Sequence, residues 1–108
     1  MIRLSTDAIT DIAIVGAHCD DIAIGIGGTL LTLAERRPGL QVHALVLSGQ
    51  GTERESEERD ALEAFCPRAN VELTVLDIPD GLAPAHWSCI KDHLKDFRGA
   101  CSPQVVFG

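Results

Sequence analysis

Short apolar runs alternate along this chain with longer, charged segments whose apolar residues recur at helical spacing. The apolar runs are rich in Ile, Val and Leu and stop at Gly, Pro or polar residues, which is typical of strands buried in a sheet. The longer segments have the apolar periodicity of amphipathic helices. We predict strands at 11–15, 40–47, 71–76 and 105–107, and helices at 29–37 with a start somewhere in 22–28, from 52 through the apolar positions at 61–65, and at 87–97.

The alternation of strand and helix predicts an α/β fold with a parallel sheet, because each return to a parallel sheet needs a crossover. Right-handed crossovers favour the strand order 3-2-1-4, with the first two helices on one face and the third on the other. One helix is then left to cover the second face, and Gly108 follows the last strand directly. We therefore expect residues 1–108 to be the N-terminal part of a single domain whose C-terminal part is absent. Either a C-terminal segment or a second copy of the chain would complete it.

Composition narrows the class of protein. A chain of 108 residues, 45% of them hydrophobic, is one domain at most. Its net charge of −7 argues against binding to nucleic acid or to an anionic membrane surface, and no apolar stretch reaches the roughly 18 residues of a membrane span. The four cysteines are not closely paired, which predicts reduced thiols in a cytoplasmic protein. The expected partner is a small molecule, neutral or cationic.

His18, Asp20 and Asp21 directly follow the first predicted strand, where ligands bind in open α/β sheets. Imidazole and carboxylate are ligands of hydrolytic zinc, which activates water, and a nearby carboxylate can accept the proton of that water. His18 and Asp21 could be two ligands, with Asp20 as the general base. An Asp pair after a strand is also typical of a helix N-cap. That alternative explains one Asp and leaves His18 and the other Asp without a role.

The same stretch resembles the AHPDD…GxGGTL signature of the LmbE-like, or PIG-L-like, zinc-dependent N-acetylglucosaminyl de-N-acetylases. The matching positions are 17–21, Gly25 and 27–30. Three weaker matches follow in the family's order, and the resemblance spans about residues 12 to 108. These matches are Arg54 with Glu57, the LDIPDG segment at 76–81, which is similar to LxLPDG, and the PQVVF segment at 103–107, which is similar to PDVVF.

The resemblance implies a Rossmann-like fold and hydrolysis of the acetamide of an N-acetylglucosamine-type sugar or its conjugate, releasing acetate and a free amine. It implies that His18 and Asp21 bind zinc, or another divalent metal, and that Asp20 is the general base. Arg54 and Asp80 would contact or organise the polar substrate. The family's third ligand and an oxyanion-stabilising His are expected after Gly108. Apart from Arg54, which the resemblance singles out, we interpret the charged run at 53–60 as mainly a solvent-facing helix surface.

Several other residues have alternative interpretations. Cys19 stands where the family has Pro, and it is either a soft extra ligand or a loop residue, the second being favoured by its position between a ligand and the base. His86, Cys89 and His93 have the spacing of a metal site on one helical face. Because no carboxylate or fourth ligand accompanies them, a solvated or partly packed face is favoured. We expect His43 to be a strand residue with satisfied hydrogen bonds.

Two other functions compete with the hydrolase. A nucleotide-binding Rossmann-like module would also combine a strand, a Gly-rich turn and a helix. However, carboxylates at this position would repel a pyrophosphate, which needs free backbone N–H groups at a helix N-terminus. A non-catalytic fragment is the third hypothesis, because two protein ligands do not complete a catalytic zinc site.

Overall fold

The computed structural model of the protein describes residues 5–108, so residues 1–4 of the predicted domain lie outside the described residues. Four strands form one parallel sheet in the order β3-β2-β1-β4, which confirms the predicted α/β fold and strand order. The elements are β1 (Asp11–Gly16), α1 (Asp21–Arg36), β2 (Gln41–Val46), α2 (Glu53–Phe65), β3 (Asn70–Val75), a short 3₁₀ helix (Ala83–His86), α3 (Trp87–Ala100) and β4 (Val105–Phe107).

Strand β1 lies inside the sheet, between β2 and β4. Its residues Ile12 and Ile14 are almost fully buried, and they pair with Val42 and Ala44 of β2. Burying one such side chain contributes about 1.5–3 kcal/mol, so the apolar run fixes β1 as an interior strand. The carboxyl end of β1 therefore lies next to the carboxyl ends of its neighbours, and the loop after it faces theirs.

Helix α1 begins at Asp21, just before the predicted interval at 22–28. The glycines concealed this start, because Gly has a low helix propensity. The helix is also irregular at Ile26, whose φ of −135° is not helical. Gly27 has a packing role: a Cβ there would come within 3.0 Å of the Phe65 ring on α2. The helix pair can approach closely because this position has no side chain.

Helix α2 begins at Glu53, one residue after the predicted start, and the side chain of its N-cap residue Thr52 makes no capping hydrogen bond. The Thr52 hydroxyl instead donates to the Gly49 carbonyl at 2.6 Å, inside the preceding loop. Gly49 and Gly51 in this loop have φ values of +111° and +77°, a region that favours glycine. The loop at 48–52 is thus held by the Thr52 hydroxyl and by glycine conformations.

The two faces of the sheet are covered unequally, as predicted. The larger apolar cluster joins the sheet to α1 and α2, whereas a smaller one joins Leu45 to Ile90 of α3. Next to the smaller cluster the second face is polar: His43 Nδ1 lies 3.3 Å from Glu72 and His43 Nε2 lies 3.8 Å from Asp11. His43 is therefore a strand residue with polar partners, as expected.

Candidate active site at the carboxyl end of strand β1

Three loops meet at the carboxyl edge of the sheet and are joined by hydrogen bonds. The Leu47 N–H donates to the Gly16 carbonyl at 3.0 Å, and the Ile78 N–H donates to the Leu47 carbonyl at 3.0 Å. The Ser48 hydroxyl donates to the Ala17 carbonyl at 3.3 Å. These bonds extend the hydrogen bonding of the sheet beyond the ends of the strands. The loops that carry the polar side chains are therefore held in place relative to one another.

His18 contacts two carboxylates, one on each side of its ring. Its Nε2 lies 2.6 Å from Asp80 Oδ1, and its Nδ1 lies 3.4 Å from Asp21 Oδ2. The same Asp21 oxygen accepts a hydrogen bond from the His18 backbone N–H at 2.8 Å. His18 and Asp21 are about half exposed and Asp80 largely so. The structure thus brings together three of the five predicted site residues.

The two ring nitrogens of His18 have different partners. An ionised carboxylate only accepts hydrogen bonds, so Nε2 carries the hydrogen that is donated to Asp80. That hydrogen bond raises the pKa of His18, partial burial opposes the rise, and the charges of Asp80 and Asp21 add to it. In the neutral ring, the lone pair of Nδ1 then lies beside the Asp21 carboxylate. This position can hold the second proton of a charged ring, in a hydrogen bond to Asp21 that also raises the pKa of His18, or a metal cation bound by both groups.

The separation of these two donors fits a shared metal ion. Two ligands at about 2.0–2.2 Å from a tetrahedral zinc lie roughly 3.3–3.6 Å apart, and Nδ1 of His18 and Oδ2 of Asp21 lie 3.4 Å apart. A histidine ligand commonly donates its other ring N–H to a carboxylate, as His18 does to Asp80. Within residues 5–108, however, no group of three or more His, Cys, Asp or Glu side chains could hold a metal ion. The described residues supply two donors.

Asp20 has an unusual backbone. Its φ of +79° is the only positive value at a non-glycine position among the described residues, and the left-handed conformation costs roughly 1–2 kcal/mol for such a residue. Asp20 occupies the N-cap of α1, but its side chain makes no capping bond and no other hydrogen bond within the described residues. Asp20 therefore occupies the N-cap position that the alternative interpretation gives to one Asp, but its exposed side chain does not cap the helix.

Glu58 of α2 is the residue that the sequence interpretation missed. Its side chain is 1% exposed, and its Oε2 accepts the Asp20 backbone N–H at 2.7 Å. Burial raises the pKa of Glu58, the hydrogen bond from Asp20 lowers it, and the charges of Asp20 and Asp21 raise it further. The run 53–60 is mainly solvent-facing, as interpreted, and Glu58 is the buried exception. One signal was present: Glu58 lies one helical turn before buried Leu62, on the apolar face.

Arg54 and Asp80 line one cleft together with His18. The cleft has a volume of about 440 Å³, and Ser48 and Asp77 also contribute to its wall. Small-molecule sites span roughly 300–1,000 Å³, so a sugar unit is of suitable size. Asp20 does not line this cleft. The predicted site residues thus form two connected parts, the His18 cleft and the N-terminus of α1.

Cys19 is buried, whereas its neighbours in the motif are exposed. The residue is 5% exposed, its Sγ lies 3.8 Å from the Ser48 carbonyl oxygen, and a Cβ at Gly49 would come within 3.0 Å of that sulfur. Burial raises the pKa of the Cys19 thiol, and the charges of Glu58 and Asp20 add to the rise. A buried, protonated thiol is a poor metal ligand, so the structure favours the loop-residue interpretation.

The second candidate metal face does not form. His86 belongs to the short 3₁₀ helix and is the residue before α3, whereas Cys89 and His93 lie within that helix. They are not part of any metal-holding group in the described part of the chain. The predicted alternative, a solvated or partly packed face, agrees with the exposed Cys89 and the half-buried His86 and His93.

These features define an α/β protein with a polar site at the carboxyl end of an interior strand. The family model described as "PIG-L: GlcNAc-PI de-N-acetylase" matches residues 13–108, and the chain belongs to this family. At the level of the family, it is a hydrolase of the de-N-acetylase type. No curated protein and no solved structure matches the chain. None of the helices in residues 5–108 is both long enough and apolar enough to cross a membrane.

Proposed function

We propose that this protein is a metal-dependent hydrolase, with zinc as its metal, that removes the acetyl group from an N-acetylglucosamine-type sugar or its conjugate. The observation that carries the proposal is the 3.4 Å pairing of His18 Nδ1 with Asp21 Oδ2, while the other ring nitrogen is held by Asp80. This pair lies within the stretch matched by the family model. Family membership supports the reaction type, and the donor pair supports the metal.

His18 and Asp21 would hold the metal, which when bound acts as a Lewis acid towards the amide carbonyl and makes water a better nucleophile. Asp20 is the general base that takes the proton of the attacking water and passes it to the departing amine. Its carboxylate is exposed and makes no hydrogen bond within residues 5–108. A carboxylate in that state can accept a proton without first breaking another contact.

Asp80 has two roles in this proposal. Its carboxylate accepts the Nε2–H of His18. This bond favours the tautomer in which Nδ1 has a free lone pair and can bind a metal. Its largely exposed side chain also lines the cleft shared with Arg54. Sugar hydroxyl groups can donate to Asp80 and accept from Arg54, so the two residues would orient the substrate across the cleft.

A catalytic zinc typically has three protein ligands, and His18 with Asp21 supplies two. The proposal therefore includes a third donor from outside the described residues, from a C-terminal segment of the same domain or from a second copy of the chain. The reaction is proposed to occur in the cytoplasm, which is supported by the four free thiols.

Nucleotide binding is less well supported. A phosphate at the start of α1 would need backbone N–H groups there. The Asp20 N–H is already donated to Glu58, and the carboxylates of Asp20, Asp21 and Glu58 surround this helix end. A bound phosphate would meet three negative charges.

The test is release of free amine from N-acetylglucosamine and from a conjugate of it by the zinc-loaded protein in the form that supplies the third donor, either with its C-terminal segment or as a dimer. Asp20→Asn and His18→Ala should each lower the rate at least 100-fold, since general acid–base catalysis alone contributes about 10²–10⁴-fold. Asp92→Asn is the matched control, because Asp92 is exposed on α3 and outside the cleft. Variants as active as the wild type, or an inactive wild type, would refute the proposal.

A further inference from the structure

The starting point is the burial of Glu58. Among the described residues, Glu58 is the one polar or charged side chain in the core, at 1% exposure. Burying a carboxylate is unfavourable unless it is hydrogen-bonded. Its neighbour Glu57, which the family resemblance singled out, is exposed. The burial of Glu58 therefore requires an explanation, whereas the exposed Glu57 does not.

Within residues 5–108, the Glu58 side chain makes one hydrogen bond, which it accepts from the backbone N–H of Asp20, 38 positions away in sequence. At 2.7 Å it has the short length of a charge-assisted bond. The loop is fixed from its other side as well, since the Ile24 N–H donates to the Asp20 carbonyl at 3.0 Å. Asp20 is thus held at both its N–H and its carbonyl while its φ is positive.

The Asp20 carboxylate has no hydrogen bond of its own within residues 5–108. No side-chain hydrogen bond fixes this carboxylate, so its place relative to the site depends on the Asp20 backbone, whose N–H is held by Glu58. Strained backbone conformations persist where surrounding structure over-determines them, and they cluster at functional sites. Helix α2 thereby reaches the loop after β1 through one buried side chain.

We propose that Glu58 is a positioning residue, which holds the Asp20 backbone in its left-handed conformation and so fixes the place from which the Asp20 side chain leaves the loop. The role in catalysis rests on the proposed function, in which Asp20 is the base. The bond between the two residues does not depend on that function, and it can be tested separately.

The structural test is hydrogen exchange of the Asp20 amide in the ¹⁵N-labelled full chain, expressed relative to the Ile14 amide of β1. Glu58→Met keeps the length of the side chain and removes the acceptor, whereas Glu58→Gln keeps an acceptor oxygen. We expect the ratio of the Asp20 exchange rate to the Ile14 exchange rate to rise at least tenfold in Glu58→Met and to stay within threefold of wild type in Glu58→Gln. Glu57→Gln is the matched control and should leave it unchanged. An unchanged ratio in a folded Glu58→Met protein would overturn the inference.

If Glu58→Met does not fold, Glu58→Asp replaces it, because the shorter side chain keeps the charge and loses the reach. The same rise in the Asp20 ratio is then expected, and its absence overturns the inference.

The catalytic test uses the zinc-loaded full chain. In Glu58→Met, or in Glu58→Asp if that replaces it, kcat should fall at least tenfold while KM stays within threefold of wild type. Glu58→Gln should have a kcat close to that of the wild type. A wild-type kcat together with fast Asp20 exchange would overturn the positioning role alone. A wild-type chain without any activity would instead overturn the proposed function, and with it the catalytic role of Glu58, while the exchange result would still report on the bond.

Discussion

Two adjacent glycines in α1, Gly27 and Gly28, should respond in opposite directions to the same substitution. A Cβ at Gly27 would lie 3.0 Å from two atoms of the Phe65 ring, whereas a Cβ at Gly28 would meet nothing within 4 Å. Both glycines belong to the motif that also suggests a phosphate-binding loop. If instead they serve helix packing, only Gly27 should be intolerant of a side chain.

The magnitudes follow from two opposing effects. Replacing Gly by Ala inside a helix stabilises by about 0.8–1.0 kcal/mol. Overpacking of a filled contact costs about 1–3 kcal/mol, because the ring of Phe65 must move. Gly28→Ala should therefore stabilise the protein by about 0.5–1 kcal/mol. Gly27→Ala should destabilise it by up to about 2 kcal/mol.

Urea unfolding followed by far-UV circular dichroism measures both effects, since Trp87 is 63% exposed and would be a weak fluorescence reporter. Combining Gly27→Ala with Phe65→Leu should recover part of the loss, with a coupling energy of about 0.5–3 kcal/mol. Equal stabilisation by the two alanines would refute the proposed packing role of Gly27.

Three further predictions concern the titrating groups. Asp80→Asn should lower the pKa of His18, because the hydrogen bond to the carboxylate raises it; an NMR titration of the His18 ring that reports the wild-type pKa would contradict this. Burial raises the pKa of Glu58 above its ordinary 4.5. Between the pKa of the unfolded state and that of the folded state, the folded protein therefore keeps a proton that the unfolded protein has lost. The free energy of unfolding should fall as the pH rises through this range. Glu58→Gln should remove this loss, which denaturant unfolding at pH 4 to 8 can measure. A thiol reagent should modify exposed Cys89 first and reach buried Cys19 and Cys66 only on unfolding, because burial blocks access and raises the pKa of both thiols; prompt labelling of Cys19 would count against the loop-residue interpretation.

The sheet order was predictable because short apolar runs and helical crossovers leave few arrangements for a parallel sheet. The contact of His18 with Asp21 is local in sequence, and the motif pointed to it. The bond between Glu58 and Asp20 was not predictable in the same way, because it depends on how α2 lies over the loop after β1. An acidic residue among seven other positions of a charged run gives little warning of its burial. The predicted role of Asp80 was also incomplete: the sequence analysis gave it a contact with substrate, and its contact with His18 appears only in the folded structure.

The polar part of the second sheet face illustrates the same limit. Alternation in β2 and β3 placed His43 and Glu72 on one face, but the register that pairs them is a property of the assembled sheet. Their contact lies outside the apolar cluster that packs against α3. The sequence pattern predicted an under-covered face, and the structure adds that much of it is polar.

The most direct test of the proposed metal site is a zinc titration in which the ring signals of all four histidines are followed at once. Zinc is added to the labelled full chain, and the ring signals of His18, His43, His86 and His93 are followed by NMR. We predict that the His18 signals and the Asp21 amide shift, while those of the other three histidines stay in place. Shifts at His86 and His93 with His18 unmoved, or no histidine shift at tenfold excess of zinc, would contradict a metal site formed by His18 and Asp21.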